Sequence, residues 1–222
     1  MPIASPLSRR RTMVALLLLT FATGLVDAVS VLVLGRVFVA NMTGNAIFLG
    51  FLFVPGTGFD LTAAVVAIGG FLTGAVISGR LFRRYGNPNP RHWLTVALSL
   101  EAVLLLLLAA VAGLGVLRYA DTSKFVLIAG LAVAFGVQNS TARQFGIQEL
   151  YTTVLTSTIV GIGVDSRLAG GTADRQNLRY AVVFVMILGA VVGATLTHVF
   201  VAPIIAMAGA VVLVSLALFR YG

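Results

Sequence analysis

Two carboxylic acids, Asp27 and Glu101, stand inside long apolar runs. An unpaired charge at the centre of a membrane helix costs roughly 2.5–3.5 kcal/mol on insertion scales. Such an acid faces a cavity or a partner, and is a functional hypothesis by default. Asp27 is followed by an unusual polar stretch, Gly35-Arg-Val-Phe-Val-Ala-Asn-Met-Thr-Gly-Asn45. Its β-branched and aromatic residues 37–40 favour an extended segment, after which Asn41 or Thr43 is placed to cap a short helix. A helix that starts inside a membrane offers free N–H groups with a partial positive charge. That arrangement suits an anion or a carboxyl-bearing solute. Later in the chain Thr152, Thr153, Thr156, Ser157 and Thr158 occupy the corresponding place, and Gln138, Asn139 and Arg143 close an apolar run. The expectation is one shared polar site of Asp27, Asn41, Thr43, Asn45, Gln138, Asn139 and Thr156, with Glu101 at its edge. The competing reading is packing: Gly, Ser and Thr let helices approach and bond across one another. Arg143 then reaches back to the interface.

Other chemistries have no residues to carry them. With no cysteine, disulfides, thiol catalysis and thiolate metal sites are excluded. His92 and His198 are far apart, against a histidine-based metal site. No nucleophile–base set or phosphate loop is present, and Gly161-Ile-Gly163 lacks the strand–helix context of a dinucleotide site. Neither an enzyme nor a cofactor is expected. Asn41-Met-Thr43 and Asn139-Ser-Thr141 fit the glycosylation pattern but lie at or within apolar segments. Gly70 with Gly74, and Gly189 with Gly193, read as helix-contact faces.

The elements that must position these residues follow from hydropathy. Of 222 residues 59% are hydrophobic and 10% charged, where a soluble domain carries about 25% charge. Six runs, 13–34, 61–81, 93–117, 125–142, 180–199 and 202–219, approach the ~20 residues a spanning helix needs. Two shorter runs, 41–54 and 150–164, read as re-entrant or half-helix segments. The net charge of +8 follows topology, not nucleic acid. With six crossings and the N-terminus inside, twelve of the fifteen basic residues are cytoplasmic; with eight, only nine are, and the loop around Arg80, Arg83, Arg84 and Arg91 is exported. The positive-inside rule favours six. The run after Arg9, Arg10 and Arg11 is too long for a cleaved signal and is read as a first helix.

The chain also echoes itself at about 113 residues. Phe71-Leu-Thr-Gly-Ala-Val-Ile-Ser-Gly79 is similar to Met186-Ile-Leu-Gly-Ala-Val-Val-Gly-Ala194, and Met42-Thr-Gly-Asn-Ala-Ile-Phe-Leu-Gly50 to Leu155-Thr-Ser-Thr-Ile-Val-Gly-Ile-Gly163. The expected fold class is an all-α membrane protein, one transmembrane domain over 1–222. It is built of two inverted repeats, about 13–117 and about 125–220, with three crossings each. Inverted repeats with interrupted segments are a transporter signature.

Four stretches, Gly24-Leu-Val-Asp-Ala-Val-Ser30, Asn41-Met-Thr-Gly-Asn45, Gly136-Val-Gln-Asn-Ser-Thr-Ala-Arg143 and Tyr151-Thr-Thr-Val-Leu-Thr-Ser157, are distributed over both halves. On them the chain resembles the YoaK-like family of uncharacterised bacterial multi-pass membrane proteins. Thr156-Ser-Thr158 departs mildly from the Thr-Gly-Thr the family would carry. The resemblance implies a bacterial inner-membrane location and about six helices, with no established substrate. The order of helix, extended segment and short helix also resembles the core of sulfate-permease and nucleobase transporters. The expected function is a small-solute transporter or channel, the solute polar or anionic. The alternative is a non-transporting membrane partner or assembly protein. The lipid bilayer is an expected partner, nucleic acid is not, and a homo-oligomer stays open. Both termini are expected in the cytoplasm.

Overall fold

The computed structural model describes residues 9–54, 56, 58–86, 89–119, 121–144, 155–174, 176–197 and 199–221. His198, Thr152, Thr153, Tyr151 and the opening of the run at 150–164 lie outside the described residues. The chain is all α-helix among the described residues: α1 (Arg9–Val33), α2 (Met42–Gly50), α3 (Leu61–Leu81), α4 (Pro90–Gly113), α5 (Lys124–Arg143), α6 (Leu155–Val164), α7 (Gln176–Thr197) and α8 (Ala202–Tyr221). Six of them, α1, α3, α4, α5, α7 and α8, are long and apolar enough to cross a membrane. α2 has 9 residues and α6 has 10. At 1.5 Å per residue they cover about 14–15 Å, half of a hydrocarbon core of about 30 Å. The first short run is therefore a half-helix, as the sequence suggested, and the second is equally short over its described residues.

Local chemistry sets the ends. Asp60 caps α3 by accepting from Ala63 N at 3.0 Å. Asn89 caps α4 by accepting from His92 N at 3.0 Å, and Pro90 sits in its first turn, where a missing N–H costs nothing. α3 continues through a wider turn at Phe82–Gly86, where the Phe82 ring meets Trp93 edge-on at 5.2 Å.

α1 and α5 are the most enclosed spans and α7 the least. The tightest crossings are made by glycine. A side chain on Gly24 of α1 would strike the Met186 carbonyl of α7, and one on Gly189 would strike Phe21. In the other half, a side chain on Gly136 of α5 would strike the Phe71 carbonyl of α3, and one on Gly74 would strike Val133. Contacts advance together along each pair, Phe21 with Gly189 and Leu25 with Gly193, Gly70 with Ala129 and Gly74 with Val133. So α1 runs parallel to α7, and α3 parallel to α5. Ser78 and Thr141 share a hydrogen bond of 3.2 Å further along the second pair. α4 and α8 run antiparallel, with Gly113 near Ala202 and Leu105 near Gly209.

Each half-helix packs on the span that follows it, α2 on α3 and α6 on α7. The first seam is aromatic, with Phe48 stacked on Phe59 at 4.3 Å and tilted against Phe51 at 6.1 Å. The second is polar: Arg179 pairs with Asp165 at 2.6 Å and donates to the Gly161 carbonyl at 2.6 Å. Gln176 donates to Ile162 O at 3.4 Å. Ile162 O in the last turn of α6 thereby gains a donor, and Gly161 O, which already accepts from Asp165 N at 3.2 Å, gains a second.

Candidate functional site

The site grows from a reversal of the chain after α1. Gly35 (φ 108) and Arg36 (φ 59) both take the left-handed conformation. The chain turns there and runs back along α1 as an extended segment, in which Val37, Val39 and Ala40 are fully buried. An extended backbone inside a membrane needs partners for its N–H and C=O groups, because lipid offers none. Two side chains supply them. Asp27 Oδ1 accepts from Val39 N at 2.8 Å and Ala40 N at 2.9 Å. Asn45 Oδ1 accepts from Phe38 N at 2.9 Å, and its Nδ2 donates to Phe38 O at 2.6 Å. Asn41 Nδ2 donates to the second oxygen of Asp27.

One of the expected roles is corrected here. Asn41 stands at the start of α2, but its side chain makes no capping hydrogen bond. Its amide is directed to the carboxylate of Asp27 instead. A cap would need the amide oxygen as acceptor; the charge-assisted bond from Nδ2 to the buried acid sets the orientation of the side chain.

Asp27 lies in the second half of α1, as far from the middle of the helix as from its end. α1 ends at Val33, six residues beyond it, or about 9 Å along the axis. Beside it a cleft of about 320 Å³ lies between α1, α7 and the extended segment, lined by Gly24, Asp27, Ala28, Phe38, Asn41 and Met186 among others. Its walls are otherwise apolar, so the Asp27–Asn41 pair is its polar feature.

A second polar contact lies along the same stripe of α1. Gln138 of α5 donates to Thr23 Oγ1 at 2.8 Å and to Leu19 O at 3.3 Å. Thr23 itself donates to Leu19 O at 3.0 Å. Thr20, Thr23, Asp27 and Ser30 are all buried, and their spacing of three and four places them on one face. That periodicity was present in the sequence and would have found Thr23. Ser30 does not reach the carboxyl of Asp27; it donates to the Asp27 backbone carbonyl at 3.0 Å.

The remaining candidates are placed differently. Asn139 is buried and donates to Phe135 O at 2.9 Å, one turn back on its own helix. Thr43 and Thr156 are exposed on the outer sides of α2 and α6. Glu101 is fully buried on α4, and neither carboxyl oxygen has a hydrogen-bond partner among the described residues. Asp27, Asn41 and Asn45 thus form one bonded cluster. Gln138 joins α1 a turn away through Thr23, while Glu101 is bonded to neither group. Among the described residues no group of three or more His, Asp or Glu could hold a metal ion.

The chain as a whole is similar to known sequences. The chain is 32% identical over 153 residues to the UPF0700 transmembrane protein YoaK of Bacillus subtilis (strain 168), a stretch that covers 69% of this chain and 65% of that protein. No solved structure matches. Residues 15–218, from the first span to the last, match the family described as Protein of unknown function (DUF1275). That match takes in the acid in α1, the extended segment, both half-helices and all six spans, and the chain is a multi-pass α-helical membrane protein belonging to this YoaK-like family.

Proposed function

We propose that the chain is a small-solute transporter or channel of the bacterial inner membrane, with its solute site in the cleft at Asp27 and Asn41. The observation that carries this reading is the re-entry itself. A carboxylate and two asparagines hold an unwound segment inside the bundle, beside a cleft of about 320 Å³. Unwound backbone within a membrane is tolerated where it is enclosed by protein or lines a cavity, and transporters use it to meet solutes. A solute that brings hydrogen-bond donors, a cation or a neutral polar molecule, fits better than the anion expected from a free helix start. Asp27 already takes the N–H groups just before that start, at Val39 and Ala40, as an anion of the chain's own.

The reading extends to architecture. We infer two inverted repeats, about 13–117 and about 125–220. The crossings support this: the Gly24 and Gly189 contacts of α1 with α7 are repeated by the Gly136 and Gly74 contacts of α5 with α3. The other packed pairs exchange in the same way, α2 with α3 for α6 with α7, and α1 with α8 for α5 with α4. The antiparallel run of α4 against α8 suits a two-fold axis in the membrane plane. In this arrangement Asn139 stands where Asp27 stands in the first half, so the halves differ by one acid. The positive-inside count puts both termini in the cytoplasm.

The second reading, a non-transporting membrane partner, is favoured by the same bonds seen otherwise. The bonds to the Asp27 carboxylate from Val39 N, Ala40 N and Asn41 Nδ2 come from the chain's own donors. The test is flux. The purified protein in proteoliposomes is loaded in turn with small cations, neutral polar solutes and anions, and Asp27→Asn is compared with wild type. Selective flux that the variant alters while staying folded supports transport. No flux of any class, with Asp27→Asn changing stability alone, supports the structural role.

A further inference from the structure

Glu101 is the buried acid that the Asp27 site leaves unused. It lies 11 residues from the start of α4 and 12 from its end, roughly 16–18 Å from either at 1.5 Å per residue. Its neighbours on the buried face, Leu94, Ala97, Leu98, Ala102 and Leu105, are fully buried and apolar. Both carboxyl oxygens lack a partner among the described residues. α4 packs on α3, the turn after it, α5 and α8. The charged groups on those elements, Arg80, Arg83, Arg84, Lys124, Arg143 and Arg220, all sit at helix ends, and none of them faces Glu101. Asp60 and Asp121 lie outside the spans.

A carboxylate in such a place would be an isolated charge with neither a counter-ion nor a donor, which costs far more than a neutral acid. A metal cation is no better, because hard cations need about six oxygen ligands and neither Glu101 oxygen has even one hydrogen-bond partner among the described residues. The ligand that a lone carboxyl can bind without further help is a proton.

We propose that Glu101 is a proton-binding site in the interior of the bundle, separate from the Asp27 cleft. It holds one exchangeable proton on a neutral carboxyl, and it does so independently of any solute at Asp27. When the proton leaves, the carboxylate remains and the charge must be met by water or by a shift of α4 against α8. That makes the acid a place where proton uptake and helix packing are coupled.

Asp27 and Glu101 are the two acids within the six spans, which makes the test clean. Infrared spectra of the full-length protein in lipid nanodiscs at neutral pH are compared for wild type, Glu101→Gln and Asp27→Asn, in water and in heavy water. The expected result is a carbonyl band of a protonated carboxyl without hydrogen bonds. It is absent in Glu101→Gln, retained in Asp27→Asn, and shifted in heavy water. If Glu101→Gln folds poorly, Glu101→Leu, which leaves no polar atom in the apolar site, takes its place in the comparison. The Asp27→Asn protein then still isolates Glu101 as the single acid inside a span. No such band in wild type means an ionised, hydrated Glu101 and overturns the proposal. A band that never shifts in heavy water means a sealed acid that exchanges no proton, and overturns it equally.

Discussion

Asn45 closes both backbone groups of Phe38, accepting from its N–H at 2.9 Å and donating to its carbonyl at 2.6 Å. The side-chain amide acts as a strand partner one residue long, in a chain with no strand among its described residues. Replacing Asn45 with Leu leaves two part-buried polar groups without these partners. Each orphan costs about 1–3 kcal/mol, so Asn45→Leu should lower the unfolding midpoint clearly. Asn45→Asp keeps the acceptor, loses the donor to Phe38 O, and sets a second acid near Asp27. It should be at least as damaging. Thermal unfolding of the three proteins in one detergent checks this, and a midpoint for Asn45→Leu equal to wild type would refute the role.

How far the sequence carried the reading is visible in these residues. The six spans were legible from hydropathy, with the run at 61–81 matching α3 and the others shifted at their ends by one to four residues. Capping chemistry accounts for part of the shift: Asn89 and Pro90 start α4 three residues before the apolar run. Asp27, Asn41 and Asn45 were legible as a polar cluster in an apolar context. Their bonding was not, because periodicity cannot say that a reversed segment comes back to meet α1. Thr43 and Thr156 were misplaced for a simpler reason. Residues two apart on a helix point about 200° away from each other. With Asn45 facing inward, Thr43 must face out, and with Thr158 buried, Thr156 must be exposed. Glu101 was legible as embedded but not as solitary, since only packing shows which helices surround it.

The glycine crossings make a paired prediction. Gly24→Ala and Gly136→Ala each push a methyl into the backbone of the facing helix. Overpacking of this kind costs about 1–3 kcal/mol. Because the two crossings use corresponding positions, the two losses should be similar in size. Gly69 lies in α3 with nothing near its added side chain, and Gly69→Ala should be neutral or stabilising by up to about 1 kcal/mol. Unfolding midpoints of the three variants settle the matter. Loss at Gly24 without loss at Gly136 would break the correspondence of the halves.

Asp60 links the start of α3 to the start of α5 through Lys124, at 2.6 Å. Partial burial pushes its carboxyl up, but the Lys124 hydrogen bond, the Ala63 N–H and the lysine charge outweigh that and hold it below the usual carboxylate range. A depressed carboxyl contributes stability above its unfolded value, and loses it as pH falls through the folded one. Stability should therefore decline on acidification below about pH 4. Asp60→Ala should remove that part of the decline. The same change deletes the α3 cap, which costs about 0.5–2 kcal/mol at every pH. Lys124→Met should retain the cap and shrink the acid-dependent part. An unchanged acid profile in both variants would show that the pair contributes nothing.

Topology is open to direct measurement because the chain has no cysteine, so each introduced thiol reports alone. With α1 running outward from Arg9–Arg11, alternation over six spans puts the links after α3 and before α7 inside, and the link between α4 and α5 outside. Thr172 lies in the link before α7, and Val116, which is 67% exposed, lies in the link after α4. An impermeant maleimide applied to intact cells should label Val116→Cys and spare Thr172→Cys, while lysed cells should label both. The basic residues Arg167, Arg175 and Arg179 flank Thr172, and the charge bias that retains them inside should hold for that position too. Labelling of Thr172→Cys in intact cells would require one of α2 and α6 to cross without the other, against lengths of 9 and 10 residues, while crossing by both would leave Thr172 inside and bring Val116 inside as well. Protection of Val116→Cys with Thr172→Cys also spared would remove the inverted relation of the halves, because four crossings per half give repeats of the same orientation.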